Sequence, residues 1–325
     1  MARADLLINL VKAGSAGDQT LLKRTVDALI AEERKKQHNV LADRLAEQIK
    51  NNGNQPSPRA IERPYDPTGN LFYEMSPQRK LDDLVLPDIV RDTCRELIEE
   101  HHRRDLLRSY NLEPRNRILL EGPPGNGKTS LAEALANELM LPLIIARYEA
   151  IIGTYLGETA VRLKRLFDYA HTRHCVLFFD EFDTLGKERG DIHETGEIKR
   201  VVSSLLLQVD GLPSHVMVIT ATNHPELLDR AVWRRFQLRL SLPAPTRAQL
   251  TEWFRRFSAK LDKPLGYEPQ TLAEKLKGAS FAEAEDFGLH ILRRFVLSLP
   301  DADMEKIVGH SIKQWQSRTK NPCEQ

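Results

Sequence analysis

Residues 122–130 read Gly-Pro-Pro-Gly-Asn-Gly-Lys-Thr-Ser, "GPPGNGKTS". The stretch fits the spacing G-x-x-x-x-G-K-[ST]. Before it stands "RILLE" (117–121), an apolar run of the kind that forms a buried strand. After it, "KTSLAEALANEL" (128–139) carries helical periodicity. A glycine turn between strand and helix lets successive backbone N–H groups converge, and the helix start adds partial positive charge. That is a phosphate cradle. Gly122, Pro123, Pro124, Gly125, Asn126 and Gly127 supply the wrap, and Ser130 closes it. Lys128 is spaced to reach the β- and γ-phosphates of ATP, and the Thr129 hydroxyl to ligate Mg²⁺. A chance glycine loop has no reason to sit between a strand and a helix.

Downstream, "VLFFDEFD" (176–183) places adjacent acids at the end of an apolar strand. Taken alone, two such acids read as a solvated turn. Paired with the phosphate loop, Asp180 is expected to hold the Mg²⁺, directly or through water, and Glu181 to orient and activate the attacking water. The spacing from Lys128 leaves room for one strand–helix unit, so both strand ends fall at one sheet edge, where ligands of open α/β sheets bind. A further strand, "VMVITAT", ends in Thr222 and is followed by Asn223, a candidate hydrogen-bond donor to the water or the γ-phosphate. The adjacent pair Arg234 and Arg235 comes next. Such a pair is ordinarily solvated charge, but here it follows the Asn-bearing strand, where a neighbouring subunit's nucleotide could be reached.

Around these motifs the chain alternates. "RILLEG", "LPLIIA", "CVLFFD", "VMVITAT" and "QLRLSLP" read as strands separated by helical runs. The pattern predicts an α/β fold with a doubly wound parallel sheet. After Pro245 the runs are all helical, which predicts a C-terminal helical subdomain. Residues 1–50 carry three helical apolar stripes, Leu6/Leu7/Leu10/Val11, Leu22/Val26/Leu29/Ile30 and Leu41/Leu45/Ile49. Residues 51–80, rich in Pro, Asn and Gly, read as a linker whose Phe72 and Tyr73 dock on the neighbouring α/β domain. The expected organisation is a helical domain over 1–50, a linker over 51–80, the nucleotide-binding α/β part over 81–243 and a helical lid over 244–325.

Composition narrows the functional classes. Of 325 residues, 41% are hydrophobic, enough for a sizeable core. The 47 basic and 46 acidic residues leave a formal net charge of +1, which argues against a chain-wide attraction to nucleic acid or membrane. No apolar run reaches bilayer length, and "MARADLLINLVKAG" is interrupted by Asp5 and Lys12, unlike a signal peptide. Cys94, Cys175 and Cys323 form no CxxC pair, consistent with a reducing, cytoplasmic setting without disulfides or zinc.

The order of phosphate loop, "FFDEFD", "TATNHP" and "LLDRAVWRRF" resembles the AAA ATPases, a clade of the AAA+ superfamily. The resemblance spans about residues 80–318. It implies a P-loop α/β domain with a helical lid, ATP hydrolysis with Mg²⁺, and assembly into a homo-oligomeric, hexameric ring. By the same resemblance, Arg234 and Arg235 correspond to arginine fingers given in trans and Asn223 to the first sensor. In "LDDLVLP" (81–87), Leu84 and Val85 stand beside the adenine. "GASFAE" (278–283) resembles the start of a lid helix, with Ala282 and Glu283 at the Ala-Asp positions. His224 stands where the family usually has Arg, and no arginine begins the lid helix; Arg293 and Arg294 lie deeper in it.

"GTYLGET" (153–159) sets two large apolar side chains between glycines. They either fold back into the core or do something a loop tip normally does not. Tyr155, Leu156 and Gly157 resemble the aromatic–hydrophobic–Gly triplet with which the family's central pore grips an extended polypeptide. The charged segment 187–197 corresponds to a second pore loop or to a plain solvated connection. Three functions remain open on the sequence. One is an ATP-driven ring that threads or remodels protein substrates. Another is an ATP-dependent regulator of a partner protein. For this the N-terminal region is similar to compact bacterial AAA ATPases that accompany a subtilisin-like serine protease in plasmid-maintenance or antiphage pairs. The third, a DNA-handling AAA+ protein, is disfavoured by the neutral charge and the aromatic triplet.

Overall fold

In a computed structural model the described residues are 71–152, 156–185, 202–261, 263–299 and 302–319, together with Thr25, Val26, Ala28 and Ile30. The chain divides into two units, Met1–Pro67 and Thr68–Gln325. In the first unit the four described residues are helical. The rest of the expected N-terminal helices, most of the linker, Tyr155 and segment 187–197 lie outside the described residues.

The second unit is built on a six-stranded sheet of order β1-β3-β4-β5-β2-β6. The strands are β1 (Phe72–Met75), β2 (Arg117–Glu121), β3 (Leu143–Ala146), β4 (Cys175–Phe179), β5 (Val216–Thr222) and β6 (Leu238–Ser241). β2 through β6 pair in parallel, as the alternating pattern predicts. β1 is an addition: it runs antiparallel to β3, with Phe72 opposite Ala146 and Met75 opposite Leu143. It falls inside the stretch whose composition reads as a linker. Four residues are too few for a periodic signal, and the pairing that makes them a strand comes from residues some seventy positions away.

The continuous apolar runs reflect burial on both sides. Side chains alternate along each strand. Ile118, Leu120, Val176, Phe178, Met217 and Ile219 point to one core, which also takes in Cys94 and Leu97 of α1 (Asp88–His102). A short helix, α2 (Arg104–Ser109), comes after α1, and the same core receives Leu131 and Leu135 of α3 (Lys128–Glu138). Leu119, Leu177, Phe179 and Val218 point to the opposite core. There they meet Ile151 of α4 (Tyr148–Ile151), Leu166 and Phe167 of α5 (Leu156–His171), and Leu205 and Val209 of α6 (residues 202–210). Each such side chain contributes about 1.5–3 kcal/mol of transfer free energy. A single turn, α7 (Arg230–Trp233), leads into β6.

Past β6 the chain forms α8 (Arg247–Ala259), α9 (Pro269–Lys275), α10 (Phe281–Leu297) and α11 (Met304–Thr319) around a third core that includes Phe254, Leu272, Phe287 and Ile312. Two capping boxes start these helices: Thr246 with Gln249 at α8, and Ser280 with Glu283 at α10. The lid is tied to the sheet domain at the phosphate loop, where the Ala282 N–H donates to the Gly125 carbonyl at 2.9 Å. A second tie runs from Arg256 Nη1 to the Asp82 carbonyl at 2.6 Å. Gly125, at φ +76°, must be glycine for the first tie: an added Cβ would lie 2.9 Å from Ser280 Oγ. Among the described residues no helix is long and apolar enough to cross a membrane.

Cys94 and Cys175 sit fully buried in the two opposite cores, and burial pushes each thiol up to about 12. Both should resist alkylation at pH 8 in the folded protein and react fully in denaturant. Peptide mapping after a timed pulse of thiol reagent checks this, and rapid native labelling at either position would contradict the packing.

Candidate active site

The C-terminal ends of β2, β4 and β5 reach one edge in register, with Glu121 opposite Thr222 and Phe179 opposite Thr220. The segments that leave those ends therefore converge. After β2, Gly122, Gly125 and Gly127 all adopt positive φ, and Gly127 is the residue before α3. At Gly122 a Cβ would approach the Leu242 carbonyl oxygen to 2.2 Å, so β2 can turn beneath β6 only as glycine. Lys128 opens α3 and folds back over the loop. Its Nζ donates to the carbonyls of Gly122 at 2.6 Å and Pro123 at 3.0 Å. Burial pulls the ammonium below its ordinary pKa, against the opposing pull of Asp180, Asp183 and Glu181.

Thr129 Oγ1 donates to Asp180 Oδ2 at 2.7 Å, which joins the start of α3 to the end of β4. The other oxygen, Asp180 Oδ1, accepts the Glu181 N–H at 2.9 Å. Glu181 is exposed and sits at φ +49°. That is left-handed backbone for a non-glycine residue and costs about 1–2 kcal/mol. Asn126 is buried with its Oδ1 unpartnered, while its Nδ2 donates to the Pro123 carbonyl at 3.4 Å.

Asp183 organises the next strand end. It is 1% exposed, and its Oδ1 accepts both the Thr222 hydroxyl and the Asn223 N–H at 3.1 Å. The Asn223 side-chain oxygen is buried and unpartnered. His224, in the position that departs from the family's Arg, pairs through Nδ1 with Glu226 Oε1 at 3.0 Å. Behind the acids lies the Tyr148 hydroxyl, buried and unpartnered. Burial and the charges of Asp180, Asp183 and Glu181 raise its pKa well above the usual phenol value.

A cleft of about 1130 Å³ opens between the sheet and the C-terminal helices. Residues 124–130, Asp180, Glu181 and Asn223 line it, as do Leu84 and Val85. Gly122 and Pro123 act from beneath, through the carbonyls that hold Lys128. The lid contributes Trp253, Phe257 and Phe281. The rings of Trp253 and Phe257 stack with centroids 5.2 Å apart. Sequence periodicity does not single out these aromatics, because "TEWFRRF" reads as the apolar face of an ordinary helix. Nor does it single out Asp183, the third acid of "FFDEFD", or Arg79, which also lines the cleft. Their only signal is proximity in the fold.

Other expected residues lie apart from the cleft. Arg234 is exposed, and neither it nor Arg235 lines the cavity. Arg235 Nε donates to Asp210 Oδ2 at 2.9 Å, and Arg117 Nη1 holds the other oxygen at 3.0 Å. Leu156 and Gly157 stand in the first turn of α5 rather than on a free loop. A Cβ on Gly157 would meet nothing within 4 Å. Glu283, read from the sequence as standing at the start of a lid helix, does so as its cap: Oε2 accepts the Ser280 N–H at 2.7 Å and hydroxyl at 2.8 Å.

A glycine loop at a helix start, facing carboxylates at the end of a parallel strand one place removed in the sheet, defines a P-loop nucleotide-binding protein. The model for "ATPase family associated with various cellular activities (AAA)" matches residues 118–244. The chain is 36% identical over 290 residues to the AAA family ATPase y4kL of Sinorhizobium fredii, covering 88% of this chain and 87% of that one. A putative 26S proteasome regulatory subunit homolog of Methanothermobacter thermautotrophicus is 33% identical over 201 residues, which is 60% of this chain and 53% of the relative. The cell division cycle protein 48 homolog of Archaeoglobus fulgidus is 37% identical over 188 residues, 56% of this chain but 25% of that protein. The chain thus spans about half of the second relative and a quarter of the third. It belongs to the AAA family and is an ATPase.

Asp183→Ala leaves the Thr222 hydroxyl and the Asn223 amide without their shared acceptor. We expect a stability loss of about 2–4 kcal/mol, from two buried donors left short. Chemical denaturation measures it, and a loss below about 1 kcal/mol would remove Asp183 from the clamp.

Proposed function

We propose that this chain is a Mg–ATP-hydrolysing motor that assembles into a homo-oligomeric, hexameric ring and works on protein substrates. The hydrogen bond between Thr129 and Asp180, with Glu181 next in sequence, carries the chemical part of this reading. Two hard oxygen donors stand side by side at the mouth of a phosphate loop. Mg²⁺ is typically held by one or two such groups with the remaining positions filled by substrate phosphates and water, so this donor set fits it. Thr129 and Asp180 would hold the ion, which when bound neutralises charge on the β- and γ-phosphate oxygens.

The chain's own residues do the rest. Backbone N–H groups of the loop and Lys128 bind the phosphates. Leu84 and Val85, opposite Trp253 and Phe257, enclose the base. Glu181 takes the proton of the attacking water, and the Asn223 side-chain amide orients that water or the γ-phosphate. Arg234 and Arg235 complete the site of a neighbouring subunit, Arg235 exchanging Asp210 for phosphate. Tyr155, Leu156 and Gly157 grip an extended polypeptide in the ring's pore. The named functions of relatives in proteasome regulation support a protein substrate. The expected division into a helical domain (1–50), linker (51–80), α/β part (81–243) and lid (244–325) is retained as part of this proposal, except that residues 72–80 join the α/β part as β1 and the segment along α3. A subtilisin-like serine protease as the regulated partner rests on the sequence of the N-terminal region alone.

Lys128→Ala should abolish ATP binding. Glu181→Gln should bind ATP while turnover falls by about 10²–10⁴-fold, the usual worth of general-base catalysis. In ATP, that trapped form should retain polypeptide, and adding Tyr155→Ala should release it. Near-normal turnover of Glu181→Gln would refute the assignment of the base.

If the arginines act in trans, specific activity should climb with protein concentration. Arg235→Ala mixed with Lys128→Ala should recover activity at interfaces that combine one intact half from each. Arginine fingers are worth about 10³–10⁵-fold elsewhere, so rescue would stand well above background. Concentration-independent turnover without rescue would place the whole site within one chain.

A further inference from the structure

Arg79 belongs to none of the phosphate-loop motifs. It lies on a strap, residues 76–80, that leaves β1 and ends at the turn Leu81–Asp83. Glu133, in the second turn of α3, fastens the strap: its Oε1 accepts the N–H groups of Gln78 and Arg79, each at 3.3 Å. Further along, the Leu81 N–H donates to Glu138 Oε1 at 3.1 Å. The strap is thereby laid along α3, and its arginine is delivered to the helix start. There Arg79 Nη1 donates to Ser130 Oγ at 2.8 Å. Arg79, Ser130 and Glu133 all line the cleft. The guanidinium is not saturated. Its ion pair with Glu133 is long, Nε to Oε2 at 3.6 Å, and the Arg79 side chain stays 43% exposed.

Two cations consequently share one helix N-terminus. Lys128 is the first residue of α3, and its first turn holds no acid. A helix start is the positive end of the backbone dipole, where anions are favoured and cations are not. Carboxylates balance part of that charge, Glu133 beside Arg79 and Asp180, Asp183 and Glu181 around Lys128, and a polyanion would add the dipole-favoured partner. The two are also set at different depths. In a phosphate loop the lysine serves the β- and γ-phosphates, while the backbone amides cradle the α- and β-phosphates. Arg79 stands beside Ser130, two residues after Lys128, whereas the Thr129 hydroxyl is turned to Asp180. A guanidinium suits that place, because its fork can keep Ser130 on one N–H and offer another to a phosphate oxygen.

We propose that Arg79 binds the α-phosphate of the nucleotide, a second phosphate cation supplied by the strap rather than by the loop. This rests on the nucleotide reading of the cleft. Because ADP and ATP share the α-phosphate, Arg79→Ala should weaken both by the same factor, about tenfold for a lost charge-assisted hydrogen bond. Arg79→Lys, which keeps the charge, should recover part of the loss. The deficit should narrow as salt is raised, since the site is open to solvent. The melting temperature without nucleotide should stay unchanged in Arg79→Ala, while the ADP-induced rise shrinks. Calorimetric titration with ADP and with ATP, beside paired thermal melts, reads all of this. ADP affinity of Arg79→Ala within twofold of the parent overturns the proposal. So does an equal loss in the Lys and Ala variants, or a loss that comes with a lowered nucleotide-free melt. A parent protein that binds no ADP overturns the cleft reading itself and this one with it.

Discussion

The parallel register of β2, β4 and β5 is the constraint on which the site depends. Glu121 opposite Thr222, and Phe179 opposite Thr220, bring three strand ends to one edge. A one-residue slip along β4 would turn Leu177 and Phe179 away from their core and carry Asp180 off Thr129. The register is strongly specified because both sheet faces are buried and each strand supplies alternate side chains to two separate cores. Hydrophobic burial, which has no directional preference of its own, thus sets the 2.7 Å contact between Thr129 and Asp180.

Local strain and buried polar groups gather at that edge. Three loop glycines take positive φ, Glu181 takes it without being glycine, as Asn111 and Met140 do elsewhere, and Asn126, Tyr148 and Asn223 each keep a buried, unpartnered oxygen. The lid closes its helix starts with two capping boxes, and among the described residues one further buried side-chain atom, Arg117 Nε at the far end of β2, also lacks a partner. A site with hydrogen-bonding capacity left over suits an enzyme whose substrate brings many acceptors and donors. The lid adds the other half of the enclosure, and Gly125 gives up its side chain so that Ala282 can close on the loop.

Most of the sheet and the phosphate site was legible along the chain, for a physical reason. A phosphate loop is a contiguous segment whose glycines, lysine and hydroxyls act through local backbone geometry, so spacing alone reveals it. Strands buried on both faces announce themselves as unbroken apolar runs. β1 and the strap were hidden because neither has a local signature. Phe72–Met75 becomes a strand only by pairing with β3, and Arg79 becomes a cleft residue only because Glu133 holds its backbone against α3. Glu283 was legible as well, because a motif at a helix start is local, and the structure makes it the cap of that helix.

By itself, then, the sequence determined the fold class, the phosphate loop, the acids at the end of β4 and the placement of a helical region after Pro245, since each is encoded by neighbours along the chain. Tertiary structure decided what faces those groups across space. It set Asp183 against Thr222 and Asn223, Trp253 and Phe257 against the cleft, and Arg235 against Asp210. It also placed a second cation at the start of α3. Such pairings join residues far apart in sequence. They arise from how the sheet, the strap and the lid pack, and no periodicity or spacing records that packing.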